Sequence, residues 1–214
     1  LSADTLGNKS TAVGYQTLLT QNFTSATDAY NVAMGFEAGK SITTGIRNVL
    51  VGALSGDALT DADYNIAIGL STLTADTQGT GSVAIGYKAL SLQNFTSATT
   101  TGNTAVGYNA GFSVSTGISN TFIGSQAGYS STDTDYNTAV GDRALYTNTR
   151  ADHNVAIGYA ALYTLNKTDG TDTRNVAVGN DAGYATTTGY ENVFVGRRAG
   201  ATHTEGYRNT IIGA

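Results

Sequence analysis

Short apolar runs recur along this chain at fixed intervals, each closed by a glycine and separated from the next by a stretch rich in Thr, Ser, Asn and Asp. Aligned on the motif Asn-x-Ala-(Val/Ile)-Gly, the closing glycines fall at 14, 35, 52, 69, 86, 107, 124, 141, 158, 179, 196 and 213. Successive spacings are 21, 17, 17, 17, 21, 17, 17, 17, 21, 17 and 17, so a super-repeat of four coils and 72 residues sits above the short one. The residue before each glycine is Val, Ile or Met in all twelve coils, and the residue two before is apolar in all twelve. Such short runs, rich in β-branched side chains and bounded by turn residues, predict strands and lack the length for helices.

A strand unit of this size cannot bury its apolar surface alone, and a fixed period calls for coils that stack and pair their backbones with the coils above and below. The expected fold is therefore all-β, a parallel β-solenoid (β-roll) of twelve coils. It is expected to run as one continuous repeat domain over 1–214, with super-repeats near 1–72, 73–144 and 145–214, as a segment of a longer fibre. Because side chains alternate across a strand, the column Val13, Met34, Val51, Ile68, Ile85, Val106, Ile123, Val140, Ile157, Val178, Val195 and Ile212 is expected to stack as the core. The opposite face would carry alanines with Leu50, Phe122, Phe194 and Ile211 as an exposed apolar stripe. The simplest cover for such a stripe is another subunit, giving a homotrimer or a fibre of copies around a common axis. Asn stands four residues before the glycine in ten of twelve coils, the exceptions being Ser10 and Ser82, themselves 72 apart. Stacked Asn side chains form hydrogen-bonded ladders.

Composition narrows the function classes. Among 214 residues there are 27 glycines and no proline, cysteine or tryptophan; the absence of proline suits a chain whose N–H groups are needed for ladder bonds. A net charge of −5 and a pI near 4.8, with eleven scattered basic residues, speak against a nucleic-acid partner. Without cysteine there are no disulfides, no thiolate chemistry and few routes to zinc. No apolar run approaches the roughly 20 residues of a membrane span, so no membrane insertion by this segment is expected. The start at Leu1, without Met or signal peptide, reads as a processed or excised segment.

Asn137-Thr-Ala-Val-Gly141, Asn154-Val-Ala-Ile-Gly-Tyr159 and Asn103-Thr-Ala-Val-Gly-Tyr-Asn-Ala110 resemble the head repeats of trimeric autotransporter adhesins (YadA-like) and are similar to the Asn-Thr-Ala-Val-Gly-Tyr repeats of phage tail fibres and bacterial surface filaments. The resemblance spans essentially the whole chain. It implies a left-handed parallel β-roll, usually trimeric, displayed on a cell surface or virion for attachment or as a spacer. The coils here exceed the adhesin period of about 14 residues, so the extra residues would form outward loops. That family's motif carries packing residues and no catalytic set.

Candidate chemistry is sparse. The insertion in each super-repeat places Asn22, Asn94 and Asn166 in Asn-x-Thr sequons, expected on protruding loops as glycosylation candidates, with a Thr/Asn-rich turn as the plainer reading. Phe112, Tyr129, Tyr146, Tyr163 and Tyr184 stand five residues after the glycine in successive coils and would form a stacked ladder. Such a row either braces the strands or contacts sugar rings, which makes surface glycans a second candidate partner. Tyr15, Tyr87 and Tyr159 recur every fourth coil and read as structural. Asp61-Ala-Asp63-Tyr-Asn65 and Asp133-Thr-Asp135-Tyr-Asn137 offer the opening of a calcium loop without its bidentate Glu. Gly35-Phe-Glu-Ala-Gly39-Lys40-Ser41 is one residue short of a phosphate-binding loop, on glycines that belong to the repeat. With only His153 and His203 available, a catalytic dyad has little to build from. The expected role is a structural or attachment fibre outside the cell, with no cofactor and no enzyme activity. A carbohydrate-binding module using the Tyr row is the alternative, an ice-binding face and a glycan-degrading enzyme less favoured ones.

Overall fold

The computed structural model describes Leu1 and residues 3–213. The chain divides into two compact units, Leu1–Asn103 and Thr104–Ala214, each a parallel β-solenoid. The boundary falls inside the second super-repeat, just after its inserted loop. In the first unit the strands Thr11–Val13, Val32–Met34, Val49–Val51, Ile66–Ile68 and Val83–Ile85 pair in chain order. In the second, Thr104–Val106, Thr121–Ile123, Thr138–Val140, Val155–Ile157, Val176–Val178, Val193–Val195 and Thr210–Ile212 do the same. The twelve coils and the all-β character match the periodicity, and among the described residues there is no helix. Val51 lies opposite Ile68 and Val140 opposite Ile157, so side chains one period apart stack directly.

The longer coils absorb their extra residues in two steps. Asn8 pairs with Asp28, and Thr80 with Thr100, twenty positions apart, whereas Thr11 pairs with Val32 at twenty-one. Three extra residues thus enter before the short side pairing and one after it, as in a bulge. The closing glycine has a steric cause: at Gly52, φ is +131° and an added Cβ would stand 2.4 Å from the carbonyl oxygen of Gly69 in the next coil.

The interior reverses the expected faces. The buried strand residues are Ala33, Leu50, Ala67, Ala84, Ala105, Phe122, Ala139, Ala156, Ala177 and Phe194. The column expected as core, Val13, Met34, Val51, Ile68, Ile85, Val106, Ile123, Val140, Ile157, Val178, Val195 and Ile212, points outward and is half-buried or exposed. Volume inside the coil explains the reversal. At Ala67, Ala139 and Ala156 a buried Leu six residues on (Leu73, Leu145, Leu162) fills the space, whereas after Ala33 and Ala177 that place is glycine and large side chains of the neighbouring coils reach into it, Leu18 and Leu50 at Gly39 and Leu162 and Phe194 at Gly183. Where the centre is large, that place is glycine: an added Cβ at Gly56 would reach Leu50 at 2.9 Å, at Gly128 the Phe122 ring at 2.5 Å, and at Gly200 the Phe194 ring at 2.3 Å. A Val or Ile column turned inward would have no such complement. Close packing therefore selects the small-or-large column for the inside.

Beneath the strands an Asn ladder runs along each unit. The Asn48 N–H donates to Asn31 Oδ1 at 2.9 Å, Asn65 N–H to Asn48 Oδ1 at 3.0 Å and Asn192 N–H to Asn175 Oδ1 at 3.0 Å. The Asn48 amide also donates to the Ala62 carbonyl at 2.8 Å. These side chains are buried and satisfied on both sides, so each Asn ties its own coil to both neighbours.

Candidate functional site

The surface that stands out is the outer face of the strands. Two residues per coil point outward, and they are Val, Ile, Met or Thr throughout: Thr11 and Val13, Val32 and Met34, Val49 and Val51, and so on to Thr210 and Ile212. None carries a charge. Away from the ends of the stack, Ile68 is 37%, Ile123 39% and Ile157 39% exposed. An antiparallel or half-exposed sheet ordinarily alternates polar residues onto its solvent face, and contiguous exposed apolar rows mark an interaction surface.

Two columns border this face. After the glycine come Tyr15, Phe36, Ala53, Leu70 and Tyr87 in the first unit, with Tyr15 and Phe36 stacked at 5.4 Å. In the second unit the same column reads Tyr108, Ser125, Asp142, Tyr159, Asn180 and Arg197. On the opposite border, Lys9, Tyr30, Arg47 and Tyr64 alternate cation and ring: Lys9 Nζ donates to the Tyr30 hydroxyl at 3.0 Å and Arg47 Nη1 to the Tyr64 hydroxyl at 2.7 Å. The Arg47 guanidinium lies 5.3 Å from the Tyr64 ring centre, within cation–π range.

The aromatic row forms the ladder its spacing predicts. Phe112 and Tyr129 stack at 5.3 Å, and Tyr129, Tyr146, Tyr163 and Tyr184 follow at 5.1 Å per step, with planes within 9° of parallel. Tyr129, Tyr146 and Tyr163 have each ring face covered by a neighbouring ring, so they present edges and hydroxyls outward. Sugar stacking needs an open ring face, and the geometry favours a brace between coils. The Tyr146 phenol is pushed up from its ordinary pKa by burial and by the flanking Tyr163 and Tyr129. In the first unit the corresponding column is Leu19, Lys40, Asp57, Thr74 and Ser91, without a ring.

Of the sequons, Asn22 and Asn94 are exposed on the inserted loops. Asn166 is half-buried, its side-chain oxygen accepting from the Thr149 hydroxyl at 2.6 Å. The calcium candidates are engaged elsewhere. Asp61 Oδ1 accepts from Thr44 Oγ1 at 2.5 Å, Asp63 Oδ1 from the Ile46 N–H at 2.8 Å, Asp133 Oδ1 from Thr116 Oγ1 at 2.6 Å and Asp135 Oδ1 from the Ile118 N–H at 2.7 Å. Each carboxylate thus reaches back to the preceding coil, and among the described residues no three His, Cys, Asp or Glu side chains converge on a metal position. Gly39, in the near-match to a phosphate loop, is a packing glycine: an added Cβ would meet Leu50 at 2.7 Å and Leu18 at 2.9 Å. His153 stacks on Tyr136 at 4.9 Å with Nδ1 3.1 Å from Asp172, and His203 leans on Phe194 at 5.5 Å.

The inserted corner holds buried polar residues that repeat-reading passed over. Gln21 and Gln93 are fully buried, and each takes over where serine interrupts the Asn ladder. Gln93 Nε2 donates to Ser82 Oγ at 2.9 Å and its oxygen accepts from Asn103 Nδ2 at 2.9 Å. The signal lay in the paired exceptions Ser10 and Ser82: a missing ladder amide requires a substitute. Among the described residues no helix is long and apolar enough to cross a membrane. Compared with known proteins, the chain matches no family model, no curated protein and no solved structure.

Proposed function

We propose that this chain is a segment of a structural or attachment fibre displayed outside the cell, on a cell surface or virion, in which three copies pack around a common axis through the outward β-branched face. The observation that carries the reading is the uncharged outward column pair, maintained through all twelve coils. Flat rows of Val, Ile and Thr with a 17-residue repeat are matched along their length by a surface with the same repeat, and a second copy of the chain is such a surface. Closed cyclic assembly is the common outcome for identical subunits. The resemblance to adhesin-head and tail-fibre repeats supports the number three and the exterior setting. Inside each unit, stacked coils, an Asn ladder and, in the second unit, a five-ring brace suit a load-bearing role. Sedimentation equilibrium of the isolated chain tests the proposal. The expected mass is three times the 21.9 kDa chain; a single-chain mass at every micromolar concentration would overturn it.

A further inference from the structure

The aromatic ladder of the second unit ends while its coils continue. The column runs Phe112, Tyr129, Tyr146, Tyr163 and Tyr184, and one coil further on the same place holds Ala201. Tyr184 stacks on Tyr163 at 5.1 Å through one ring face. Its other face, toward the next coil, meets no ring, and the residue is 38% exposed. An open cleft of about 420 Å³ lies there, lined by Tyr159, Asp181, Tyr184, Arg198 and Thr202 among others, a size within the range of small-ligand sites. Stacked coils repeat at about 4.8 Å, so the gap left by one absent ring has the thickness of one flat ring.

The charges at this cleft differ from those elsewhere. Arg47 donates to the Tyr64 hydroxyl, Arg143 lies by Asp142, Arg150 by Asp133, and Arg174 and Arg208 both by Glu191. Arg197 and Arg198 are exposed, line the cleft side by side and have no such side-chain partner among the described residues. Two guanidinium groups against the single carboxylate of Asp181 leave an excess of positive charge here, on a chain whose net charge is −5. An anionic group is therefore drawn to this place on an otherwise acidic molecule. Asp181 and the Thr202 hydroxyl face the same cleft and call for hydroxyl groups opposite them, which a sugar supplies and a simple aromatic acid does not. The open face of Tyr184 supplies an apolar platform for the C–H face of a pyranose.

We infer that this cleft binds an acidic saccharide, a hexuronate whose pyranose ring stacks on the open face of Tyr184 where a sixth ring of the ladder would stand, while its carboxylate pairs with Arg197 and Arg198. The site adds a ligand to the attachment role proposed above and does not depend on how many copies assemble. Calorimetric titration of the full chain with trigalacturonate, its methyl ester and benzoate tests it. Trigalacturonate is expected to bind, with the neutral ester and benzoate each weaker by about tenfold or more. Ala201→Tyr supplies the missing ring from the chain itself and is expected to abolish binding while the β signal in circular dichroism is kept, since four coils already carry Tyr in that column. Arg198→Gln is expected to raise the dissociation constant about tenfold, and Arg150→Gln, exposed elsewhere in the same unit, to leave it unchanged. Failure of trigalacturonate to bind the wild-type chain would overturn the site, as would undiminished binding by the Ala201→Tyr and Arg198→Gln chains. Methyl ester or benzoate binding as tightly as trigalacturonate would overturn the assignment to an acidic sugar. Sedimentation of the wild-type chain keeps the two proposals apart: assembly without binding contradicts this one alone, and binding without assembly contradicts the other alone.

Discussion

In the second super-repeat the inserted corner holds Asp76, Ser82 and Gln93; seventy-two positions on, the same places hold Asn148, Asn154 and Leu165. The first set is a connected buried network. Asp76 accepts from the Gly79 and Phe95 N–H groups at 3.0 Å each and from Gln93 Nε2 at 2.5 Å. Ser82 Oγ lies 2.5 Å from Thr101 Oγ1. In the second set each residue is satisfied separately. Asn148 accepts from the Ala151 N–H at 2.8 Å and donates to the Ala151 carbonyl at 2.7 Å. Leu165 is buried and needs no partner, while Asn154 keeps the ladder running, accepting from the Asn175 N–H at 3.0 Å and Thr173 Oγ1 at 2.7 Å. All three places change together. What the two corners share is complete hydrogen-bond satisfaction in a buried setting, which constrains the group of residues more than any one of them.

The strongest way to break this comparison is to mix the sets. Gln93→Leu alone leaves Asp76 buried without its side-chain donor and Ser82 without its amide, and is expected to cost about 3 kcal/mol, read as a lowered denaturant midpoint of the full chain. The combined variant Asp76→Asn, Ser82→Asn and Gln93→Leu, which installs the third corner's set, is expected to recover all but about 1 kcal/mol. A triple variant as weak as the single one would show that the corners are not equivalent.

A smaller effect sharpens the same contrast through pH. Burial pushes the Asp76 carboxyl above the ordinary carboxylate range, against the opposing hydrogen bonds from Gln93, Phe95 and Gly79. The folded chain therefore holds that proton to higher pH than the unfolded chain does. Stability from this group falls as pH rises through the window between the ordinary and the raised value, and is regained on acidification. Asp76→Asn should flatten that part of the stability profile. A variant with an unchanged slope would place the titration elsewhere.

Much of the fold was legible because its information is translational. Spacing alone places Val51 over Ile68 and predicts the Tyr129, Tyr146 and Tyr163 stack, since residues one period apart occupy equivalent places. Which strand face turns inward was not legible from the motif itself. Alternation separates Ala67 from its neighbours Ile66 and Ile68 but assigns neither side to the interior, and β-branched residues serve an exposed sheet as well as a buried one. The deciding residues lie outside the strand, where Leu73 fills the room beside Ala67 and Gly128 yields it to Phe122. The exposed apolar stripe was expected on the wrong face for the same reason: an exposed apolar row and a core row look alike in one strand's pattern.

The central claim is that the outward β-branched face lies between copies of the chain. Since the chain has no cysteine, Ile157→Cys on that face and the exposed Thr44→Cys as a reference can each be labelled with a bulky maleimide. The account predicts that Cys at position 157 reacts far more slowly than Cys at position 44 at assembling concentrations, and that the difference shrinks on dilution. Equal labelling of the two at every concentration would contradict it.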